Sequence, residues 1–184
     1  MDKIKVGILG LRRGMSHLRN FLNTDEAVVI GAADRIEQWR TRAAGLIADH
    51  PEAAGVKFVS EFEELLELQP DAVAIASNGR QQAAHAVQAL EAGCHVISEV
   101  PGAFTQEEII RIAYTVERTG KQYMLAENSS FLNFLRYWYK WVEEGRFGAI
   151  SIADGEYLHY LPWNFVDADG NQYTPTEVRE QGLE

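Results

Sequence analysis

The sequence opens, after three residues, on the stretch IKVGILGLRRG, residues 4–14. Its first six residues are almost all apolar, which predicts a β-strand that is buried on both faces. Gly10 and Gly14 follow, immediately before a helix predicted for residues 15–22. A glycine-rich turn at this place lets a phosphate group approach the backbone amides at a helix N-terminus. The stretch therefore predicts the first βα turn of a dinucleotide-binding fold.

The spacing of these glycines departs from the common G-x-G-x-x-G pattern. The turn has Gly10-x-x-x-Gly14, which is one residue shorter, and Arg12 or Arg13 stands where the middle glycine is expected. Two interpretations stay open, because a guanidinium either binds phosphate directly or crowds the space that a glycine leaves. A tight strand-to-helix turn without any ligand is the structural alternative.

The next hundred residues alternate between short apolar runs and segments with helical spacing. The apolar runs predict strands over residues 27–33, 72–75, 95–97 and 122–126. The other segments predict helices over residues 15–22, 36–47, 62–68, 82–92 and 109–116. Strands that alternate with helices in this way indicate βαβ units. We therefore expect an α/β fold with a Rossmann-type, doubly wound parallel sheet.

The composition changes after residue 126. Residues 131–141 are strongly aromatic and predict a helix that ends at Glu144-Gly145, and residues 149–160 predict a long strand. Its mixture of polar and apolar residues is typical of an antiparallel sheet. We expect two domains: residues 1–126 form the NAD(P)-binding Rossmann domain, and residues 127–184 begin an incomplete α/β domain with an antiparallel sheet.

Composition and charge exclude several classes of protein. The chain has 17 basic and 27 acidic residues, a net charge of −10, which argues against binding to nucleic acid. The single cysteine, Cys94, cannot form an internal disulfide or a cysteine-rich zinc site. The five histidines show no metal-ligand spacing, so we expect no metal. No stretch is typical of a signal peptide or a membrane span, so we expect a cytoplasmic protein without membrane partners.

An acidic residue, Asp34, ends the second predicted strand, 24 positions after Gly10. A carboxylate at this place is expected to bind the ribose hydroxyls of NAD and to repel the 2′-phosphate of NADP. Arg35 follows directly and offers a partner for that phosphate. NAD is therefore favoured and NADP stays open. The alternative is that Asp34 caps the next helix.

Four stretches, taken in order, resemble the Gfo/Idh/MocA oxidoreductases, which include glucose-fructose oxidoreductase and inositol dehydrogenases. They are residues 6–17, 71–93, 95–101 and 126–157. The resemblance implies an N-terminal Rossmann domain followed by a C-terminal α/β domain with a large, open antiparallel sheet. It also implies that most of this second domain is missing from the 184 residues, as in a truncated chain.

The resemblance places the cofactor contacts at the carboxyl ends of the strands. The residues expected to bind NAD or NADP are Gly10, Leu11, Arg12, Arg13, Gly14, Asp34, Arg35, Ser77, Asn78, His85, Glu99, Pro101 and Asn128. Some have simpler structural alternatives: Ser77 and Asn78 as turn residues, and His85 as a packed histidine. His17 is expected to pack or to cap rather than to bind.

The expected catalytic lysine is absent. The family motif Glu-Lys-Pro reads Glu99-Val100-Pro101, and a valine cannot exchange a proton with a substrate hydroxyl. The Asp and His that the family carries four residues apart in its second domain also have no match, since Gly155 lies four before His159. The catalytic residue stays unknown, with Glu99, His159 and Tyr157 as candidates.

The expected function is that of an NAD(P)-dependent oxidoreductase. By the resemblance, it transfers a hydride between the nicotinamide and a carbinol carbon of a sugar, cyclitol or polyol derivative, and it forms a homo-oligomer. Two alternatives stay open. One is a non-catalytic nucleotide-binding relative or inactive partner subunit, and the other is an NAD-assisted glycosidase or lyase.

Overall fold

A computed structural model of the chain describes residues 2–156, 173–174 and 176–177. The chain divides into two compact units, Met1–Leu135 and Arg136–Glu184. The described part contains no helix with the length and apolar character needed to cross a membrane.

The first unit is built on a six-stranded sheet. Its strands are β1 (Ile4–Leu9), β2 (Ala27–Ala33), β3 (Lys57–Val59), β4 (Ala72–Ile75), β5 (His95–Ser98) and β6 (Tyr123–Leu125). They lie in the order β3-β2-β1-β4-β5-β6, and each pair of neighbours is parallel. This is the strand order of the Rossmann fold, so the predicted doubly wound sheet is confirmed.

Helices cover both faces of this sheet. They are α1 (Met15–Leu22), α2 (Glu37–Ile47), α3 (Phe62–Glu67), α4 (Gly79–Glu91) and α5 (Gln106–Thr119). Because side chains alternate along β1, Ile8 joins one apolar cluster with Leu18 of α1, and Leu9 joins a second cluster with Leu65 of α3. Each fully buried side chain of this size stabilises the fold by about 1.5–3 kcal/mol. The two cores fix the strand ends that carry the site.

Local signals set the ends of the helices. Thr105 and Glu108 form a capping box at the start of α5, and Gly120, with φ 65°, ends that helix. Asn78 caps α4 by accepting a hydrogen bond from the Arg80 amide, so α4 begins three residues before its predicted start. The apolar pattern alone underestimates the lengths of these helices, because residues 79–81 and 106–107 at their starts carry no buried apolar side chain.

The strand β3 was not predicted. It has three residues, begins with an exposed lysine and lies at the edge of the sheet. A short edge strand covers little apolar surface, so it leaves no apolar run in the sequence.

The aromatic helix is confirmed as α6, Asn133–Glu143. The strand predicted over residues 149–160 is wrong for its first eight residues, because 149–156 form neither helix nor strand. A strand needs a neighbour to bind its backbone groups, and no described strand pairs with this segment. The rest of the predicted strand, with the candidates Tyr157 and His159, lies outside the described residues. The antiparallel second domain stays a prediction.

Candidate functional site

The carboxyl ends of β1 and β4 form the candidate site. These neighbouring strands end level with each other, since Leu9 pairs with Ile75. The helix after β1 packs on one face of the sheet, and the helix after β4 packs on the other. The loops therefore separate at this point and leave a crevice, which is where open α/β sheets bind their ligands.

The turn after β1 depends on both of its glycines. Gly10 has φ +86°, and an added Cβ would collide with the carbonyl oxygen of Ala76. Gly14 donates to the carbonyl of Gly10 at 3.1 Å, and a Cβ at Gly14 would collide with that same carbonyl. The amides of Arg12 and Arg13 have no hydrogen-bond partner within residues 2–156. They are free to donate to phosphate oxygens, so the turn fits a dinucleotide.

Asp34 is tied to this turn by its side chain. Its Oδ2 accepts a hydrogen bond from the Leu11 amide at 2.7 Å, and its Oδ1 accepts one from the Ile36 amide at 2.9 Å. No side chain caps α2, so Asp34 does not cap the helix that follows it. The carboxylate therefore holds β2 and the glycine-rich turn together at the place where the cofactor ribose is expected.

Arg35 reaches the segment on the other side of β1. Its Nη2 donates to Oε1 of Gln81, in the first turn of α4, at 3.3 Å. Both side chains are exposed, and β2 and β4 are the two neighbours of β1. This link joins the segments that follow those strands. The Arg35 guanidinium is thus held within the candidate site.

Ser77 and His85 pair behind the end of β4. Ser77 Oγ lies 2.8 Å from His85 Nδ1, and the half-buried imidazole also packs edge-on against the Phe62 ring. Burial lowers the pKa of His85, the charge of Arg35 lowers it further, and the charge of Glu63 opposes both. The imidazole is therefore held in its neutral form. These contacts hold α4 against the end of β4, and a contact of His85 with the cofactor stays a prediction.

Gln82 is a residue of the site that the sequence analysis missed. It is buried, its Nε2 donates to the Ser77 carbonyl at 3.3 Å, and its Oε1 accepts from the Gly102 amide at 3.0 Å. It therefore links the loops after β4 and β5. The signal was present, because a glutamine stands on the apolar face of α4, four residues before the buried Ala86.

Glu99 meets two residues from the other end of the sequence. Its Oε1 accepts a hydrogen bond from Arg13 Nε at 3.0 Å and lies 2.9 Å from His17 Nε2. The Glu99 side chain is 9% exposed, that of His17 15% and that of Arg13 66%. His17 was expected only to pack or cap. His17 and Glu99 are 82 positions apart, so no local sequence pattern predicts their contact.

Three further residues named in the sequence analysis lie on the segments after β5 and β6. Val100, at the position of the family lysine, is 46% exposed. Pro101 lines an apolar cavity of about 490 Å³ between α5 and β6, and Asn128 is exposed and forms no side-chain cap. Within the described ranges, no three His, Cys, Asp or Glu side chains are grouped to hold a metal ion.

Comparison with curated proteins finds relatives that match almost the whole of this chain. Two curated relatives are each named as glycosyl hydrolase family 109 proteins. The one from Shewanella sp. is 29% identical over 92% of this chain and 38% of its own length. The one from Bacteroides fragilis is 31% identical over 94% of this chain and 39% of its own length. This chain thus spans about two fifths of the length of these relatives.

Two solved structures share the fold. The scyllo-inositol dehydrogenase of Lactobacillus casei, with bound NAD(H) and scyllo-inositol, superposes with a TM-score of 0.70 at 25% identity, over 80% of this chain and 43% of its own. The myo-inositol 2-dehydrogenase of Lactobacillus plantarum superposes with a TM-score of 0.71 at 18% identity, over 81% of this chain and 43% of its own.

A family model supplies the last comparison. It is described as the oxidoreductase family with an NAD-binding Rossmann fold, and it matches residues 4–127, more than half of the chain. Those residues contain the sheet, the glycine-rich turn and the strand ends that form the crevice. The chain therefore belongs to the Gfo/Idh/MocA family of NAD-binding oxidoreductases.

Proposed function

We infer that the whole protein binds NAD at the crevice between β1 and β4 and acts on a sugar or cyclitol by hydride transfer. The observation that carries this inference is the convergence at one crevice of the Gly10–Gly14 turn, Asp34 and the buried carboxylate of Glu99. The cofactor, when bound, supplies the hydride acceptor. The inositol dehydrogenase among the solved structures supports a polyhydroxylated substrate.

The residues of this chain divide the binding task between them. The free amides of Arg12 and Arg13 suit the pyrophosphate, and Asp34 suits the hydroxyls of the adenine ribose. We assign Glu99 to the nicotinamide ribose, because it follows β5 directly. Asp34 repels a 2′-phosphate, so NAD is the preferred cofactor.

Val100 determines which proton transfer is possible. Oxidation of a carbinol needs a group that accepts the hydroxyl proton, and an exposed valine provides none. We propose that the base comes from another residue of the whole protein, with Glu99, Tyr157 and His159 as the candidates in this chain. If none acts, the protein is a nucleotide-binding relative without turnover.

A second candidate function is an NAD-dependent glycosidase. It is favoured by the names of the relatives, which are glycosyl hydrolase family 109 proteins at 29–31% identity. In this reaction, a sugar carbon would transfer a hydride to bound NAD, which would acidify the neighbouring C–H bond so that the aglycone could leave by elimination. Water would then add to the resulting double bond at the anomeric carbon, and return of the hydride would restore the hydroxyl group. No net change in the cofactor results.

Binding is tested first, by isothermal titration calorimetry of the full chain with NAD⁺, NADH, NADP⁺ and NADPH. We expect NAD⁺ or NADH to bind more tightly than the phosphorylated pair. Absence of binding by all four at millimolar concentration contradicts the proposal.

Two activity assays then separate the two reactions. Formation of NADH with a panel of sugars and inositols supports the dehydrogenase. Release of the aglycone from an aryl glycoside, dependent on added NAD⁺ and without accumulation of NADH, supports the glycosidase. Binding of NAD⁺ without either activity supports the non-catalytic alternative.

A further inference from the structure

The cluster of Arg13, His17 and Glu99 joins three segments that surround the crevice. One oxygen of Glu99, Oε1, lies 3.0 Å from Arg13 Nε and 2.9 Å from His17 Nε2. The other oxygen, Oε2, has no hydrogen-bond partner in the part of the chain that the structure describes, and it is not sealed from solvent. The cluster therefore holds a buried carboxylate by one oxygen and leaves the other available.

Arg13 also has unused hydrogen-bonding capacity. Its guanidinium carries five N–H donors, and the only one with a partner in residues 2–156 is the one on Nε. The side chain is 66% exposed, although its partner Glu99 is only 9% exposed. Nη1 and Nη2 thus reach solvent from a turn whose own amides are free. A planar guanidinium that is fixed through Nε still presents a fork suited to a phosphate group.

We propose that Arg13 takes the place of the missing middle glycine by binding the pyrophosphate of the dinucleotide through Nη1 and Nη2. Glu99 orients the guanidinium from behind through Nε, and His17 fixes Glu99. Glu99 and His17 are therefore positioning residues for the phosphate contact. The inference rests on the proposed binding of NAD. In this arrangement the Arg13 side chain binds the phosphate, and it does not crowd the turn.

The neighbouring arginine supplies a matched control. Arg12 has the same charge and stands in the same turn, but it is exposed and forms no ion pair with the described residues. General attraction of a phosphate by positive charge predicts equal effects of the two arginines. A specific contact between the Arg13 guanidinium and the phosphate predicts that only the Arg13 substitution weakens binding.

The test is calorimetry of the full chain with NAD⁺ and with ADP, which carries a pyrophosphate but no nicotinamide. We expect Arg13→Ala to weaken both affinities by about 10- to 100-fold, as for a lost charge-assisted hydrogen bond. Arg12→Ala keeps the backbone amide that is assigned to the pyrophosphate and removes only the exposed side chain, so it is expected to weaken both affinities by less than about threefold. Equal effects of the two substitutions overturn the proposal.

Replacement of Arg13 by glycine distinguishes a phosphate contact from crowding of the turn, because the two predict opposite changes in binding affinity. We expect Arg13→Gly to weaken the binding of NAD⁺ and ADP, as Arg13→Ala does. If the arginine only crowds the turn, Arg13→Gly tightens binding, and that result overturns the proposal. Thermal unfolding without ligand shows whether each variant is folded. Arg13→Lys, which keeps the charge but lacks the planar fork of the guanidinium, is the second variant, and its affinity for ADP is expected to fall below that of the wild type.

The positioning role is tested by a double-mutant cycle and by rescue. If Glu99 orients Arg13, the loss of ADP affinity caused by Arg13→Ala becomes smaller in a Glu99→Gln background. An unchanged loss overturns the role of Glu99. His17→Gln retains an N–H donor and is expected to keep the ADP affinity, whereas His17→Leu is expected to lower it by about threefold or more. Equal affinities of these two variants overturn the role of His17.

The outcomes also separate this inference from the proposed function. A wild-type chain that binds neither NAD⁺ nor ADP overturns both. A wild-type chain that binds NAD⁺, with Arg13 variants of unchanged affinity, overturns only the role of Arg13.

Discussion

The carboxylate of Asp34 accepts a hydrogen bond from the backbone amide of Leu11, with 2.7 Å between Oδ2 and N. The acidic residue that directly follows β2 therefore stabilises the glycine-rich turn after β1. The same carboxylate binds the Ile36 amide through its second oxygen. One side chain thus shapes the turn and, in the proposed function, supplies the negative charge that disfavours the 2′-phosphate of NADP.

Replacement of Asp34 by asparagine is expected to affect stability and specificity together. The amide side chain keeps only one acceptor oxygen, so we expect the free energy of unfolding to fall by about 1–3 kcal/mol. Loss of the negative charge is expected to raise the affinity for NADP⁺ relative to NAD⁺. Urea denaturation and calorimetry measure the two effects. The exposed Asp25, changed to asparagine, should alter stability by no more than about 0.5 kcal/mol. Equal effects at both positions would show that the Leu11 contact is unimportant.

Glycine-to-alanine substitutions are expected to have opposite effects at two positions. At Gly10, with φ +86° and the Ala76 carbonyl in the way, we expect Gly10→Ala to cost about 2 kcal/mol or more. Gly45 is exposed inside α2 with no atom near its added Cβ, so Gly45→Ala is expected to stabilise the chain by about 0.5–1 kcal/mol. Denaturant unfolding of both variants provides the check. A stable Gly10→Ala variant would contradict the geometry of the turn.

His85 should make stability depend on pH. Burial lowers its pKa in the folded state below that in the unfolded state, which is about 6.5. The neutral imidazole therefore contributes stability above that value. The contribution is lost as the pH falls, because the unfolded chain then takes up a proton that the folded chain resists. Between pH 8 and pH 5.5, we expect the wild type to lose more stability than His85→Gln in urea denaturation. Parallel pH profiles would contradict this assignment.

The buried Gln82 should matter more than its exposed neighbour. Gln82→Leu leaves the Gly102 amide and the Ser77 carbonyl without their partner, and each loss costs about 1–3 kcal/mol. Gln81→Leu makes the same chemical change at the surface and removes only the link to Arg35. The comparison is made by chemical denaturation. Equal losses of unfolding free energy for the two variants would show that the hydrogen bonds of the buried Gln82 do not stabilise the fold more than the surface contact of Gln81.

Val100→Lys tests whether the missing lysine limits turnover. The side chain is 46% exposed, so the longer residue is expected to be accommodated without loss of stability. Under the proposed dehydrogenase function, a general base at this position is expected to raise NADH formation by about 100-fold on a substrate that the wild type turns over slowly. Val100→Leu serves as the control. A wild type with strong activity that the lysine leaves unchanged or reduces would show that another base is already in place.

The sequence predicts the centre of this fold better than its edges. Continuous apolar runs identify β1, β2 and β4, whose bounds match the predicted ones, because both faces of these strands are buried. The edge strand β3 escapes detection because an exposed lysine begins it. The segment 149–156 is misread because mixed polarity is compatible with a strand but does not require one.

The site is less predictable than the fold. Glycines and an acidic residue at strand ends are visible in the sequence, because the turn and the cofactor demand those residue types. The contact between His17 and Glu99 is not visible, since it arises only when the helix after β1 and the end of β5 meet. Gln82 is an intermediate case. Its position as a polar residue on the apolar face of a helix is visible in the sequence, but its contact with Gly102 is not.

The contacts of Glu99 also constrain the order in which the site assembles during synthesis. Arg13 and His17 emerge from the ribosome with the first βα unit, whereas Glu99 follows His17 by 82 positions. β5 joins the sheet through β4, which itself pairs with β1. A nascent chain that ends before β5 therefore carries the glycine-rich turn without the Glu99 carboxylate that accepts a hydrogen bond from Arg13. Such a chain cannot complete the cluster, whatever the folding of its first four strands.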